Sequence, residues 1–528
     1  MSKDHEVMFY TDGRHTSVYM YEPPMGIKQY VEPIDELVDL GIDTISYAVG
    51  DCSVLLYATK VGERWGHNVD LTDHDIWWRA AHNAKLMIDS GTDPLMLVCE
   101  HAQRRGFQFL PGLLLNMVHT PHDRVTNCRV ADFTTEHPEW QVGEDGEEAF
   151  PEAQYDNPQR LSFAVPEVRE NRLAVIAELL GDYPADGIEL NMQDYAPFIG
   201  RREVAEHTAT MTAWMRDIRR LCDEAAAAQG RDKRLVIRVD ATLPGNRAMG
   251  MDVESWMKEG IVDVVIAMQV VGGFENDTSG LREVVAAAVG TEVRVLAGME
   301  ATNKPELSRA VVAAAASNAY ATGVGGVFFH TYYPMPKRYP YDDDATGRLR
   351  FMGHPDLLGN LDKTYRLGIP TNATAALARG LVEQLPAELT EDHPARECTL
   401  EVNDDVAGRS GAGELWRCEL RLFLQHLTYE DVIELTWNGE EIPASAWRKA
   451  DWTYQLRPRP EYAVNGYRLH IDLKQLQRPP MVGVNTIGVK VVAKDAQLVH
   501  PVTLADVELV VEYLPHRNAL RADEEYHP

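Results

Sequence analysis

The chain has 528 residues, 45% hydrophobic and 25% charged, with 81 acidic against 51 basic side chains and a formal net charge of −30. A length of this order suggests roughly two to four domains and buries a large core without disulfide or metal staples. So acidic a chain argues against nucleic acid or an anionic membrane as main partner, and the composition excludes collagen, coiled coil and bulk disorder.

The start, Met-Ser-Lys-Asp-His-Glu, lacks the apolar stretch and cleavage site of a secretory signal, and no apolar run is long enough to span a membrane. The six cysteines (52, 99, 128, 222, 398 and 418) are widely spaced with no CxxC pair, so a reduced, cytoplasmic setting is expected.

Strand-like runs begin at Ser17–Tyr21 and continue at Asp43–Val49, Phe107–Leu114, Asp186–Asn191, Arg234–Asp240, Val262–Gln269, Glu292–Ala297 and Gly325–His330. Helical patterns lie between them at Ile27–Leu40, Ile76–Arg105, Val168–Gly181, Val204–Gln229, Asp252–Glu259, Leu281–Val289 and Glu306–Ala321. A last one, Leu357–Tyr365, follows the eighth strand. Strand–helix alternation repeated eight times predicts an α/β fold, a (β/α)8 TIM barrel over residues 1–367. Doubly wound sheets usually stop at five or six strands, and no glycine-rich phosphate loop follows the first one. Insertions at 50–75 and 115–165 each follow a strand and so belong on the C-terminal face, where barrel active sites are built.

After a linker at 368–394 the rhythm changes to short alternating strands: Glu397–Val402, Leu415–Leu424, Val432–Trp437, Gly466–Leu473, Gly488–Val492 and Asp506–Tyr513. They predict an antiparallel β-sandwich over 395–515, with a charged tail at 516–528. This module either binds glycans or packs on the barrel and mediates homo-oligomerisation. Exposed Trp437, Trp447 and Trp452 would mark the first, packed ones the second.

The chemistry is expected at strand ends. Glu189 and Asn191 project to one side of their strand, opposite Ile188 and Leu190, and so point to the barrel axis. A carboxylate there needs partners or a role. Asp194 follows in the loop. Arg238 and Asp240 end the fifth strand and Gln269 the sixth, while Glu300 follows the seventh and His330, Tyr332 and Tyr333 the eighth. The aromatic group suits stacking on sugar C–H faces, although packing explains at least one of its members equally well. Asp240 and Arg238 also have a structural reading, as partners of neighbouring charges.

In the insertions, Asp51, Trp65 and His67 combine an aromatic with polar groups, as either saccharide recognition or a self-anchored lid requires. Asn116 and His119 are read as substrate ligands or loop braces. His119, His122 and Asp123 sit on a loop with no helix to set metal geometry, so no metal and no cofactor is expected.

Several phrases in shared order, Tyr21-Glu22-Pro23-Pro24, Val61-Gly62-Glu63-Arg64-Trp65-Gly66-His67-Asn68, Glu136-His137-Pro138-Glu139-Trp140, Pro166-Glu167-Val168-Arg169 and Asp186-Gly187-Ile188-Glu189-Leu190, resemble the family-10-like glycosyl hydrolases, bacterial barrel proteins. The resemblance covers about residues 5–365 and implies a (β/α)8 barrel, often with β-sandwich accessory domains, acting on glycosidic bonds. One departure stands out. In such barrels strand four often ends in Asp, and in chitinase-type barrels a catalytic Glu lies two places further; here these positions are Asn191 and Gln193.

The resulting expectation is a glycoside hydrolase acting on an oligo- or polysaccharide, with Glu189 as general acid and Glu300 or Asp240 as nucleophile or base. Arg238 and Gln269 would position them. Alternatives are a non-hydrolytic saccharide-binding protein on a degenerate barrel, motivated by the two amides, and a sugar lyase or isomerase.

Overall fold

The computed structural model describes residues 5–50, 53–118, 126–142, 160–193, 196–268, 276–300, 308–330, 347, 349–367, 384–451, 466–516 and 521. Eight parallel strands close a barrel: β1 (Glu6–Thr11), β2 (Thr44–Ala48), β3 (Gln108–Leu114), β4 (Gly187–Asn191), β5 (Arg234–Asp240), β6 (Val264–Met268), β7 (Arg294–Glu300) and β8 (Gly326–His330). Each strand neighbours the next in sequence, and β1 closes the ring on β8 through Glu6↔Gly326 and Phe9↔Phe329. The strands read as nearly unbroken apolar runs because both faces are covered, one by the barrel filling and one by helices.

The axis is filled by Met8, Tyr10, Leu110, Leu114, Val236, Val264, Ile266, Met268, Leu296 and Phe328. At the N-terminal end Glu6 closes the barrel with a polar plug, accepting from Thr44 Oγ1 at 2.7 Å and pairing with Arg234 at 2.9 Å and Arg294 at 3.0 Å. Residues of opposite parity pack on α1 (Ile27–Asp35), α2 (Asp75–Asp89), α3 (Pro94–Arg104), α4 (Pro166–Asp182), α5 (Val204–Gln229), α6 (Val253–Lys258), α7 (Ser279–Ala288) and α8 (Arg309–Tyr320).

Three expected elements change. The first strand is Glu6–Thr11 and not Ser17–Tyr21; Arg14–Val18 instead forms one wide helical turn. Asp12 enforces that turn by accepting the backbone N–H groups of Arg14 and His15, both at 2.9 Å, while Gly13 takes a left-handed φ of 63°. The long helix at 76–105 is two. Gly91 at φ 88° ends the first, and Asp93, with Pro94 behind it, caps the second through Leu95 N. The helix expected at 357–365 shrinks to Pro355–Leu358, and β9 (Lys363–Leu367) follows as a strand of the C-terminal region.

That region holds two antiparallel sheets. One runs in the order β9, β18 (Val502–Tyr513), β12 (Leu415–Gln425), β16 (Gly466–Asp472), β15 (Trp447–Asp451), with β10 (Ala387–Leu389) also on β18. The other runs β11 (Arg396–Val402), β17 (Gly483–Ala493), β13 (Val432–Trp437), β14 (Glu440–Ile442). Leu400, Leu435 and Val489 of the second share one core with Leu420, Leu469 and Leu509 of the first. Trp437 is buried in it and Trp447 packs against it, while Trp452 lies outside the described residues.

Glu401 ties this region to the barrel. It accepts from Thr278 Oγ1 at 2.7 Å and pairs with Arg282, while its backbone carbonyl accepts from Asn276 and Asn318. Among the described residues no helix is long and apolar enough to cross a membrane.

Candidate active site at the barrel mouth

Glu189 and Arg238 meet on the barrel axis. Arg238 Nε lies 3.0 Å from Glu189 Oε1 and Nη2 lies 3.1 Å from Oε2, and Ser46 Oγ donates to Oε2 at 3.1 Å. Both side chains are fully buried, and the guanidinium lies 4.7 Å from the centre of the Tyr10 ring and 4.8 Å from that of Phe328. A carboxylate is tolerated here because a bidentate cation and a hydroxyl occupy both oxygens. As a general acid Glu189 would have to leave this pair.

Asp240 is two residues further up β5 and also buried. Its Oδ1 accepts from Thr242 N and Thr242 Oγ1, both at 2.7 Å, and Asn246 bonds its backbone on both sides. These bonds start the short helix Leu243–Ala248 directly above the strand. Across the mouth, Asn191 Oδ1 accepts from Gln193 N at 3.1 Å. Gln193 is 9% exposed, and its Oε1 has no partner among the described residues. His330 ends β8 with its ring centre 4.9 Å from that of Tyr10, and its backbone is in register with Glu300 of β7. The side chain of Glu300 lies outside what is described, as do Asp51, His119, His122, Asp123, Asp194, Gln269, Tyr332 and Tyr333.

The described insertion residues Asn116, Trp65 and His67 bond or pack within the insertions and the neighbouring loops. Asn116 is fully buried and braces its loop: Nδ2 donates to Leu161 O at 3.1 Å and Pro197 O at 2.9 Å, and Oδ1 accepts from Leu161 N at 3.1 Å. Trp65 is buried and packs 6.4 Å from Tyr19, as a lid anchor does. His67 lies between Glu63, at 2.8 Å, and Asp132, at 3.2 Å.

Sequence reasoning missed Asp12 and His15, which follow β1 and so belong to the same face. Asp12 is completely buried and pairs with Arg14 at 3.2 Å and with His15 Nδ1 at 2.5 Å. Burial pushes its carboxyl up, but the charges of His15 and Arg14 outweigh this and hold it well below the usual carboxylate range. Tyr47, at the top of β2, closes over Gly13, where a Cβ would come 2.5 Å from the phenol oxygen. Burial first, and Asp12 second, raise the Tyr47 phenol. The Asp-Gly turn was the available signal. A first strand at 17–21 would leave residues 12–15 ahead of the barrel, whereas the strand Glu6–Thr11 makes them its first loop.

No curated protein matches the chain. Among solved structures it is similar to the PgaB (BpsB) glycoside hydrolase domain from Bordetella bronchiseptica, at 13% identity over 66% of this chain and 98% of that one, with a TM-score of 0.42. It is also similar to an endo-1,4-β-mannanase from Rhizomucor miehei, at 11% identity over 67% of this chain and 94% of that one (TM-score 0.42). A third is the α-L-fucosidase isoenzyme 2 from Paenibacillus thiaminolyticus, at 12% identity over 67% of this chain and 50% of that one (TM-score 0.41). Residues 15–209 match the family model described as Glycosyl hydrolase-like 10, the family that the sequence motifs resemble.

Proposed function

We propose that the protein is a glycoside hydrolase acting on an oligo- or polysaccharide at the C-terminal mouth of the barrel, with Asp240 and Glu300 as the carboxyl pair. The Glu189–Arg238 pair forms the charged floor beneath them. The observation that carries this reading is the distribution of polarity along the axis. Inward positions are apolar through the middle and turn to Glu189, Asn191, Arg238, Asp240 and His330 towards the strand ends. In barrels of this kind polar groups at that end serve chemistry, whereas the opposite end serves stability. The family match over residues 15–209 supports the same class of reaction.

Hydrolysis of a glycosidic bond needs one carboxyl to protonate the leaving oxygen and a second to attack or to activate water. Strands β5 and β7 are separated only by β6. At about 4.8 Å per strand their backbones lie roughly 10 Å apart, and the mechanism requires carboxyl groups about 5–9.5 Å apart. Arg238 balances the charge of Glu189 in the floor.

Mass spectrometry of a panel of oligosaccharides incubated with wild type, Asp240→Asn, Glu300→Gln and Glu189→Gln tests this. Turnover is expected to fall roughly 10²–10⁴-fold in each of the first two variants. Wild-type turnover retained in both would overturn the assignment. A second reading, saccharide binding without turnover, draws on the amides Asn191 and Gln193 and on the occupied carboxylate of Glu189. It predicts calorimetric affinity for a glycan that passes through the panel uncleaved.

A further inference from the structure

We propose that Glu63, His67 and Asp132 form a binding site for one divalent cation of the zinc class, which joins the two insertions on the C-terminal face of the barrel. The site shares no residue with the proposed carboxyl pair, and it departs from the sequence-based expectation of no metal. One ligand atom from each of the three side chains lies within 4.8 Å of the others.

The argument starts from the imidazole. His67 Nδ1 lies 2.9 Å from the backbone oxygen of Arg64, and since a carbonyl can only accept, Nδ1 carries the ring proton. Nε2 faces Glu63 Oε2 at 2.8 Å and Asp132 Oδ2 at 3.2 Å, and a bound cation would take the place of the second ring proton that otherwise bridges it to these carboxylates. Three potential ligand atoms converge on one point, with Glu63 Oε2 also held by the Asp132 backbone N–H at 2.7 Å, and a cation there would be shared by all three. Ligand distances of about 2.0–2.2 Å in tetrahedral geometry place ligand atoms roughly 3.4 Å apart, so the imidazole–carboxylate separations of 2.8 Å and 3.2 Å would widen by about 0.6 Å and about 0.2 Å to receive the ion.

The surroundings hold the ligands in that orientation. A histidine that donates its second nitrogen to a backbone carbonyl is the usual arrangement of a metal-bound imidazole. Glu63 Oε1 accepts from Phe133 N at 2.9 Å, and Asp132 Oδ1 accepts from Asn68 Nδ2 at 2.8 Å. The side chains of Glu63, His67 and Asp132 are 24%, 26% and 34% exposed, which leaves an entry path and room for water as a fourth ligand. One imidazole with two carboxylates suits zinc or a neighbouring transition ion better than calcium or magnesium, which favour all-oxygen sites. Bound there, the ion would fasten the segment carrying Trp65 to the short helix Asp132–Thr135.

The test uses untagged protein stripped with EDTA and titrated calorimetrically with ZnCl2 at pH 7.5, with CoCl2 absorption spectra as a second readout. One saturable site with a dissociation constant in the micromolar range or below is expected. Binding should weaken at least 100-fold in His67→Ala and in Glu63→Gln, and about 10-fold in Asn68→Ala, which removes only an outer partner. The cobalt d–d bands should be lost with the first two. His101→Ala removes a histidine that faces Asp35 across the surface of the barrel and should change nothing. Metal-free melting curves identify any variant that fails to fold, and Glu63→Gln keeps the side-chain size if His67→Ala does. Absence of one-to-one binding tighter than about 100 µM, or equal binding by the two ligand variants and wild type, would overturn the proposal. Because the readout is binding, it stands or falls independently of glycoside turnover.

Discussion

Substituting Arg238 by methionine isolates what the charged floor of the barrel contributes. Methionine fills the space of the arginine stem but supplies neither of the two hydrogen bonds to Glu189, leaving that carboxylate fully buried with Ser46 Oγ as its remaining partner among the described residues. Removing one partner of a buried pair costs about 3–5 kcal/mol. Loss of the cation from between the Tyr10 and Phe328 rings adds up to about 1 kcal/mol. A destabilisation of about 4 kcal/mol is therefore expected, read as a shift in the urea midpoint and as a fall in Tm of roughly 10 °C. The double variant Glu189→Met with Arg238→Met removes both charges and should return to within about 2 kcal/mol of wild type, because an apolar replacement of a buried pair is close to neutral. Arg238→Met melting within 1 kcal/mol of wild type would refute this account. Glu189→Gln separates structure from chemistry. On the floor reading it loses stability while turnover persists at the remaining folded fraction, whereas a general acid at this position would lose turnover without loss of stability.

Glu401→Ala removes the acceptor shared by Thr278 and Arg282, and should split a single calorimetric transition into two as the barrel and the C-terminal sheets melt separately. One unchanged transition would show that the remaining contacts couple them. In the C-terminal region burial pushes the Glu419 carboxyl up, but hydrogen bonds from His470 and Arg421 outweigh it and hold the group at about 2. A depressed carboxyl stabilises the fold above its unfolded-chain value and loses that contribution as pH falls through the folded value. Urea midpoints should therefore drop by the equivalent of about 1–2 kcal/mol between pH 5 and pH 2, after allowance for solvent screening, and Glu419→Gln should flatten that part of the profile. Gly13→Ala places a Cβ 2.5 Å from Tyr47 Oη at a φ of 63°, so a loss of about 2 kcal/mol or more is expected by chemical denaturation. Stability equal to wild type would mean that Tyr47 moves aside at no cost.

Seven of the barrel strands, and the six strand runs expected after residue 395, are legible in the linear sequence because their signal is local. A parallel strand covered on both faces needs an unbroken apolar run, and side-chain alternation then fixes which residues face the axis. That parity brought Glu189, Asn191, Arg238 and Asp240 into view as one group. Competition between two acceptable local patterns decided the remainder: Ser17–Tyr21 alternates as a strand should, yet Asp12 and Gly13 turn the chain just before it. Lys363–Leu367 became a strand only because β18 offers it a partner. The roles of the charged residues lay furthest from reach. Glu189 is neutralised by an arginine 49 positions away and hydrogen-bonded by a serine 143 positions away. Glu63 and His67 are neighbours in sequence, but Asp132 arrives from 65 positions beyond His67. Backbone state follows from neighbours along the chain, whereas the chemistry of a buried charge follows from whichever group the fold sets against it.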